Sequence, residues 1–466
     1  MASAALAGTV VGWRMDGTGD FPAAQPPIEW SPTRNVAWVT SMPGPSNASP
    51  ILVGDRLFVT AERDTVLAID AASGRVLWQR ASRVEDAVEA PSPAPSALEI
   101  VGEETRRQAS LRDLEYALTR LRQQLGNAAG DAALDQQARA LLAKVNAERH
   151  RLASLVLAKP EGVTEETGYS TPTPTSDGVA LFVVFGTGVA ASYDLDGNRR
   201  WIRFVDHVLA PDGAASSPVL VGGKLLVLLN DLIALDAATG EIAWRVNVPA
   251  RPGSPIAFSI DGEPVVVVPS GQCVRVADGA VLASGLGDLA YASPVVRDGV
   301  LYMIQEPARA FRIPAQRAEH LTFEPLWTTH MKGERYYSSP LVAEGLIYAI
   351  TRGQILSVVD ARSGEVTSTM RLRLGWTGAA DSVFSSPVRA GRFVMVSGFS
   401  GTTVVLEPGR SPRVVAASSL ERFRSCPIFA GDRMYLRGQQ KLYCIAGVAA
   451  ASPGAGASTG AHGAPP

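Results

Sequence analysis

The chain has 466 residues, with 43 Lys plus Arg against 45 Asp plus Glu, a formal net charge of −2 and 46% apolar residues. That balance gives no global basic field for nucleic acid and supplies ample material for a large core. No apolar run reaches the roughly 18 residues of a membrane-spanning helix, so none is predicted.

The opening MASAALAGTVVG is small and apolar but lacks the basic region of a secretory signal. It reads either as the remnant of an export signal or as a disordered start. The first makes the protein periplasmic or secreted, with the cytoplasm as the alternative. Residues 1–34 are an N-terminal extension in this reading, and residues 35–44, NVAWVTSMPG, an orphan strand carrying Trp38. At ASPILVGDRLFVT a small residue and Pro50 open an alternating apolar strand, and Gly54-Asp55 signals a hairpin into a second. A third strand ends at Asp70 within VLAIDAASGRVLWQR, and a fourth carries Trp78. Here Asp70 is suited to accept N–H bonds across the turn and Gly74 to take the left-handed conformation that closes it. Trp78 offers a large ring with one N–H to dock between sheets. Residues 35–80 thus hold the orphan strand and a first repeat.

Residues 81–169 interrupt the pattern between Pro-rich flanks, APSPAPS and AKPEGVTEETGYSTPTP. Leu111, Leu114, Leu118, Leu121 and Leu125 follow a three-four spacing, as do Leu134, Ala138, Leu141, Val145, Leu152 and Leu155, with Glu148 a polar lapse. Ser110 with Asp113 reads as a capping box and Asp131 as an N-cap. The prediction is an antiparallel, coiled-coil-like helical hairpin with facing leucine seams, either a self-contained decoration or a docking arm.

The unit then returns at Pro174, Pro218, Pro255, Pro294, Pro340, Pro387 and Pro427, eight times with the first. Outside the insertion these prolines stand 37 to 47 residues apart, the span of a four-stranded propeller blade. LIALDAATGEIAWRV repeats the docking stretch without a gap as Ala234, Asp236, Gly240 and Trp244. The copy from Asp194 to Trp201 is one residue short, and after Asp360 a Ser368 stands in place of Trp. The last unit stops at KLYCIAG without a fourth strand. The Trp38 strand would supply it, closing a ring and removing sheet edges that invite aggregation. The fold predicted is all-β: an eight-bladed β-propeller of four-stranded antiparallel blades with an inserted α-helical hairpin. Seven blades is the alternative if the Pro255 unit is misread. Residues 170–446 hold the remaining blades, and the Ala/Gly/Pro-rich residues 447–466 read as a disordered tail.

The Ala-x-Asp-x-x-Thr-Gly-x-x-x-Trp pattern resembles the tryptophan-docking repeat of the pyrroloquinoline-quinone-like β-propellers. The resemblance covers about residues 35–446 outside the insertion. GWRMDGTGDFP and GYSTPTPTSDGVALFVVFGTGVAASYDLDGNRRWIRF look like a bacterial subfamily of these proteins that is often exported. The family's dehydrogenases imply pyrroloquinoline quinone held with calcium, an Asp base and typically two adjacent cysteines. Cys273, Cys426 and Cys444 are not adjacent, and no motif carries such an acidic site, so no cofactor is expected and this one is disfavoured.

The scattered histidines and three cysteines give no metal-ligand spacing, and Cys426 and Cys444 are expected as buried thiols rather than a disulfide. GTG at 186–188 and SGFSG at 397–401 read as hairpin turns, because no strand-turn-helix surrounds them. No Gly-x-Ser-x-Gly elbow or metalloprotease helix occurs, and Asp212 and Asp381 read as solvated loop acids. Segments ahead of the repeat prolines should reach the channel mouth. They carry Tyr169, Tyr291, Arg335, Tyr336, Tyr337, Phe384, Arg422 and Arg424. Rings among guanidinium groups suit an anionic or aromatic ligand or an extended peptide, or else fill the channel and brace its loops. Two functions remain. One is a non-catalytic scaffold of the bacterial envelope, binding protein, peptide or small ligand through the mouth or the hairpin. It resembles in kind the propeller lipoproteins of outer-membrane assembly, although no lipobox cysteine is present. The other is a quinone-dependent or sugar-acting enzyme using the channel.

Overall fold

A computed structural model describes residues 10–87, 131–156, 167–206, 208, 213–375 and 382–447, with scattered helical residues between 103 and 125. The predicted tail from residue 448 onward, Asp212 and Asp381 lie outside the described residues.

Eight antiparallel sheets follow one another around a ring, and the Pro255 unit forms a full one. Blade 1 runs through strands Ile51–Val53, Arg56–Ala61, Thr65–Asp70 and Val76–Ala81. The short first strands of neighbouring blades touch at the centre. Second and third strands such as LFVTA and VLAI are apolar on both faces, since each sheet is covered by a blade on either side. Eight buried clusters result, one per blade junction. Phe58, Ala68, Phe185 and Tyr193 fill that between blades 1 and 2.

The ring closes as the sequence predicts. Strand Val36–Ser41 pairs with Lys441–Ile445, placing Trp38 opposite Cys444, and so completes blade 8. One blade departs from four strands. Asp20–Phe21 adds a short parallel strand to Arg389–Ala390 of blade 7, making five. Residues 10–34 therefore lie across the propeller: Val11 bridges to Ser176 of blade 2, and Trp30 is buried between blades 7 and 8.

The docking stretch works between blades. Ser73 donates its N–H to Asp70 at 2.7 Å, and Thr239 donates to Asp236 at 3.0 Å. The tryptophan docks on the turn of the following blade: Trp78 Nε1 donates to Leu195 at 2.9 Å, Trp201 to Ala237 at 3.0 Å and Trp244 to Val276 at 2.9 Å. Trp38 donates to Ala71 at 3.2 Å, so the closing strand grips blade 1 as well. Gly74 has φ +75°, and a Cβ there would stand 2.6 Å from the Trp38 ring. The glycine is needed twice, for its conformation and for the approach of the neighbouring indole. Trp327 makes the same contact with Ala361 at 3.0 Å but escapes the sequence pattern. Residues 313–323 lengthen its turn.

In the insertion, the helix Ala132–Val156 packs Ala138 and Val145 against Leu111 and Leu118 of the preceding helix. Ala133 and Leu134 donate to Asp131 at 2.9 and 3.1 Å, the predicted N-cap. Glu148, the polar lapse, is buried and meets Arg107 of the facing helix at 3.0 Å. Ser110 caps nothing: helical residues begin by Glu103, placing it inside the helix. The side chains of Leu152 and Leu155 lie outside the described residues.

Candidate functional site

The residue before each repeat proline faces the channel axis, and the eight hydrogen-bond in a closed circle. Ser49 N–H donates to Thr173 Oγ1 at 3.0 Å, Thr173 to Ser217 at 3.1 Å, Ser217 to Ser254 at 2.9 Å and Ser254 to Ser293 at 2.8 Å. Ser293 donates to Ser339 at 2.8 Å, Ser339 to Ser386 at 2.9 Å, Ser386 to the Cys426 sulfur at 3.3 Å, and Cys426 back to Ser49 at 2.8 Å. This circle explains the small-residue-then-proline step. The hydroxyl receives a buried N–H from the blade before, and proline, lacking an N–H, starts the next strand without leaving a donor unpaired.

Above this throat, the residues three before each proline form a second circle: Asn47, Thr171, Ala215, Pro252, Tyr291, Tyr337, Phe384 and Arg424. Four consecutive blades carry bulky side chains and the other four small ones, so the mouth is a lopsided chamber of about 280 Å³. The bulky half is an aromatic arc. Tyr291 meets Tyr337 edge-on at 4.5 Å, Tyr337 stacks on Phe384 at 5.1 Å, and Phe384 meets Phe399 edge-on at 5.8 Å. Arg424 lies 4.0 Å over Phe384 and 4.8 Å from Phe399, and Arg352 lies 5.7 Å from Tyr337. Arg335 donates to the Tyr337 hydroxyl at 3.4 Å, which raises its pKa above the usual arginine value. Among the described residues lining the chamber there is no Asp, Glu or His.

Of the eight candidates, Tyr291, Arg335, Tyr337, Phe384 and Arg424 line this one chamber. Tyr336 does not. It is 1% exposed in the core between blades 5 and 6, where burial pushes its phenol up and its hydroxyl donates to Lys332 at 3.0 Å. Adjacent residues of an extended segment point to opposite sides, and Tyr337 takes the channel side. Arg422 is exposed outside the lining, 5.9 Å from Phe399. Tyr169 also stands outside it, under Arg63 at 5.1 Å. Its segment is pinned where the insertion returns, with Tyr169 and Ser170 N–H both donating to Glu62 at 2.8 Å. Thr167 and Thr171 at that root line the chamber. The thiols of Cys273, Cys426 and Cys444 are free and buried, with burial raising Cys273 to about 12 and Cys444 to about 11.

The sequence reading missed the floor. The N-terminal segment turns back on itself, with Gly12 bridging to Met15, and its tip, Trp13–Arg14, enters the channel. Trp13 lines the chamber, while Arg14 is fully buried, donating to Pro340 O at 3.0 Å and Pro387 O at 2.7 Å. Both carbonyls follow members of the throat circle. An isolated Trp-Arg pair ahead of the first repeat has no periodicity to announce this role.

Among curated proteins, the chain is 29% identical over 214 residues to the serine/threonine-protein kinase AfsK of Streptomyces griseus. That match covers 42% of this chain and 24% of the kinase, so the chain spans about a quarter of that relative's length. Among solved structures, BamB from Moraxella catarrhalis aligns with a TM-score of 0.55 at 11% identity, covering 88% of this chain and 96% of that one. The quinohemoprotein alcohol dehydrogenase from Comamonas testosteroni aligns with a TM-score of 0.50 at 11% identity, over 96% of this chain and 82% of that one. At such identity both likenesses concern the fold. The family described as outer membrane protein assembly factor BamB matches residues 28–212, 160–286 and 186–458, from the closing strand through the last blade. The chain belongs to that family of pyrroloquinoline-quinone-like β-propellers.

Proposed function

We propose that the protein is a non-catalytic binding scaffold of the bacterial envelope that holds an extended peptide segment of a partner in the chamber at its channel mouth. The observation that carries this reading is the lopsided second circle. Tyr291, Tyr337, Phe384 and Arg424 form a wall on four consecutive blades, facing Asn47, Thr171, Ala215 and Pro252 on the others. A stacked aromatic and guanidinium wall supplies rigid contact area at low entropic cost, and the small residues opposite leave room for a main chain. The insertion returns to the propeller beside this chamber, where Thr167 and Thr171 line it. The BamB family description, that of an outer membrane protein assembly factor, supports a protein partner and an envelope location.

The fold likeness to a quinohemoprotein dehydrogenase raises the alternative of a quinone enzyme. The chamber's donors do not suit that cofactor. Calcium wants several carboxylate or carbonyl oxygens, and the described lining side chains offer one amide, Asn47, and no carboxylate. General acid–base chemistry likewise lacks a carboxylate or imidazole there. A thermal shift measured with calcium and pyrroloquinoline quinone separates the readings. The scaffold reading expects no change in melting temperature. A saturable rise that needs both components would make the chamber a quinone site.

A further inference from the structure

The floor of the chamber has a chemistry that the aromatic wall does not use. Arg14 is fully buried, and its two terminal nitrogens reach only the neutral carbonyls of Pro340 and Pro387. Its Nε has no partner, and no carboxylate of the described residues lies within ion-pair distance. The acidic side chains acting on it are Cys426, Asp16 and Asp20, and Asp20 is held by Arg389 at 2.5 Å and Arg297 at 3.1 Å. Burial pulls the Arg14 pKa below the usual arginine value. A buried cation without a counter-ion is costly, and proteins keep such charges where an anion completes them.

The throat circle beside Arg14 is made of donors. Each hydroxyl oxygen of Ser49, Thr173, Ser217, Ser254, Ser293, Ser339 and Ser386 accepts a neighbour's N–H, which leaves its own O–H to be donated. Among the described residues none of these seven O–H groups has a protein acceptor, and none of the seven residues is more than 6% exposed. The tip that brings Arg14 here is held against its preference. Arg14 and Met15 have φ of 55° and 65°, a region that non-glycine residues rarely adopt. A Cβ on Gly19 would collide with the Arg14 guanidinium, so the loop is shaped around that group.

From this geometry we infer that the channel throat is an oxyanion site, taking a carboxylate or phosphate group on the channel axis. The converging O–H groups donate to it, Arg424 faces it from the wall, and Arg14 supplies charge from below without touching it. The inference rests on the chamber being the binding face, and it assigns the end group of what binds there: an acidic terminus or a phosphorylated or carboxylated small molecule.

Calorimetric titration of the full chain with acetate, phosphate and sulfate, at fixed ionic strength against chloride, tests it. Saturable one-to-one binding of at least one anion is expected. Acetate alone would identify the source as a carboxylate, and phosphate or sulfate would identify a tetrahedral group. Arg14→Met should weaken binding about tenfold, the scale of losing one buried positive charge near the anion, and Arg14→Lys should restore much of it. If Arg14→Met fails to fold, the paired change Ser293→Cys and Ser339→Cys still decides. Cys426 already accepts an N–H in this circle, so the thiols keep the circle while weakening the donors. That variant should bind several-fold more weakly. No saturable binding of any of the three anions, or equal affinity in the circle and Arg14 variants, would overturn the inference. Anion binding without any peptide binding removes the scaffold reading alone; peptide binding without anion binding removes this inference alone.

Discussion

At the scale of single residues, the most heavily constrained positions are the turn glycines that lie under a neighbour's indole. Gly54 provides a control for Gly74. Both have positive φ, +60° and +75°, but a Cβ on Gly54 meets nothing within 4 Å, whereas on Gly74 it meets Trp38 at 2.6 Å. Gly54→Ala should cost about 1–2 kcal/mol from the left-handed conformation alone. Gly74→Ala should cost roughly 1–3 kcal/mol more for the collision. Urea unfolding of the two variants checks this, and equal costs would mean the indole does not press on the turn. The same turns set an acid limit. Hydrogen bonds hold the carboxyls of Asp70, Asp194, Asp236 and Asp360 below the ordinary range: from Ser73, Asn198, Thr239 and Ser363 respectively. A carboxylate depressed in the folded state stabilises above its unfolded pKa of about 4 and loses that contribution as pH falls through its folded value. The melting temperature should therefore fall as pH drops below about 4. Asp236→Asn should flatten part of that drop, and an unchanged profile would show the turns are not the acid-sensitive elements.

At the scale of elements, the strands and turns were legible and the contacts between them were only half so. Asp70, Gly74 and Trp78 announce one hairpin because their chemistry is local, yet each indole docks on the next blade, which no single repeat displays. The serine circle is the sharper case. A small residue before each proline is visible in every unit, but its partner is the same position in the neighbouring blade, so its purpose emerges only when the ring is closed. Tyr336 and Tyr337 are alike in sequence, and only the direction of an extended segment sends one into the core and the other into the chamber. The orphan strand was legible because a missing fourth strand at one end matched a spare one at the other. It pairs along Val36–Ser41 with Lys441–Ile445, and Trp38 and Thr40 then bond to Ala71 and Gly74 of blade 1. Deleting residues 1–44 should open that edge and expose the cores on both sides of blade 8. Light scattering should show association, and urea a clearly lower midpoint. A monomer with an unchanged midpoint would mean the ring does not depend on this strand.

At the scale of the molecule, the ring produces a site that no blade owns. Eight equivalent positions converge on one axis, so a sequence difference among repeats becomes an asymmetry of the chamber: bulky from Tyr291 to Arg424, small from Asn47 to Pro252. The repeat is therefore conservative where blades touch and variable where the mouth faces outward, the division expected when a scaffold fixes position and loops carry recognition. Trp13, near the chain's first described residues, closes the far side of this chamber with Arg14 buried beneath it, while the insertion returns at the mouth. The most direct test of the mouth as the working surface is photo-crosslinking in the native host, with a benzophenone amino acid placed singly at Ala215, Tyr337 or Val281, an exposed residue on the outermost strand of blade 4. Discrete adducts to the same partner from Ala215 and Tyr337, and none from Val281, is the predicted result. Adducts from Val281 with none from the two mouth positions would contradict it.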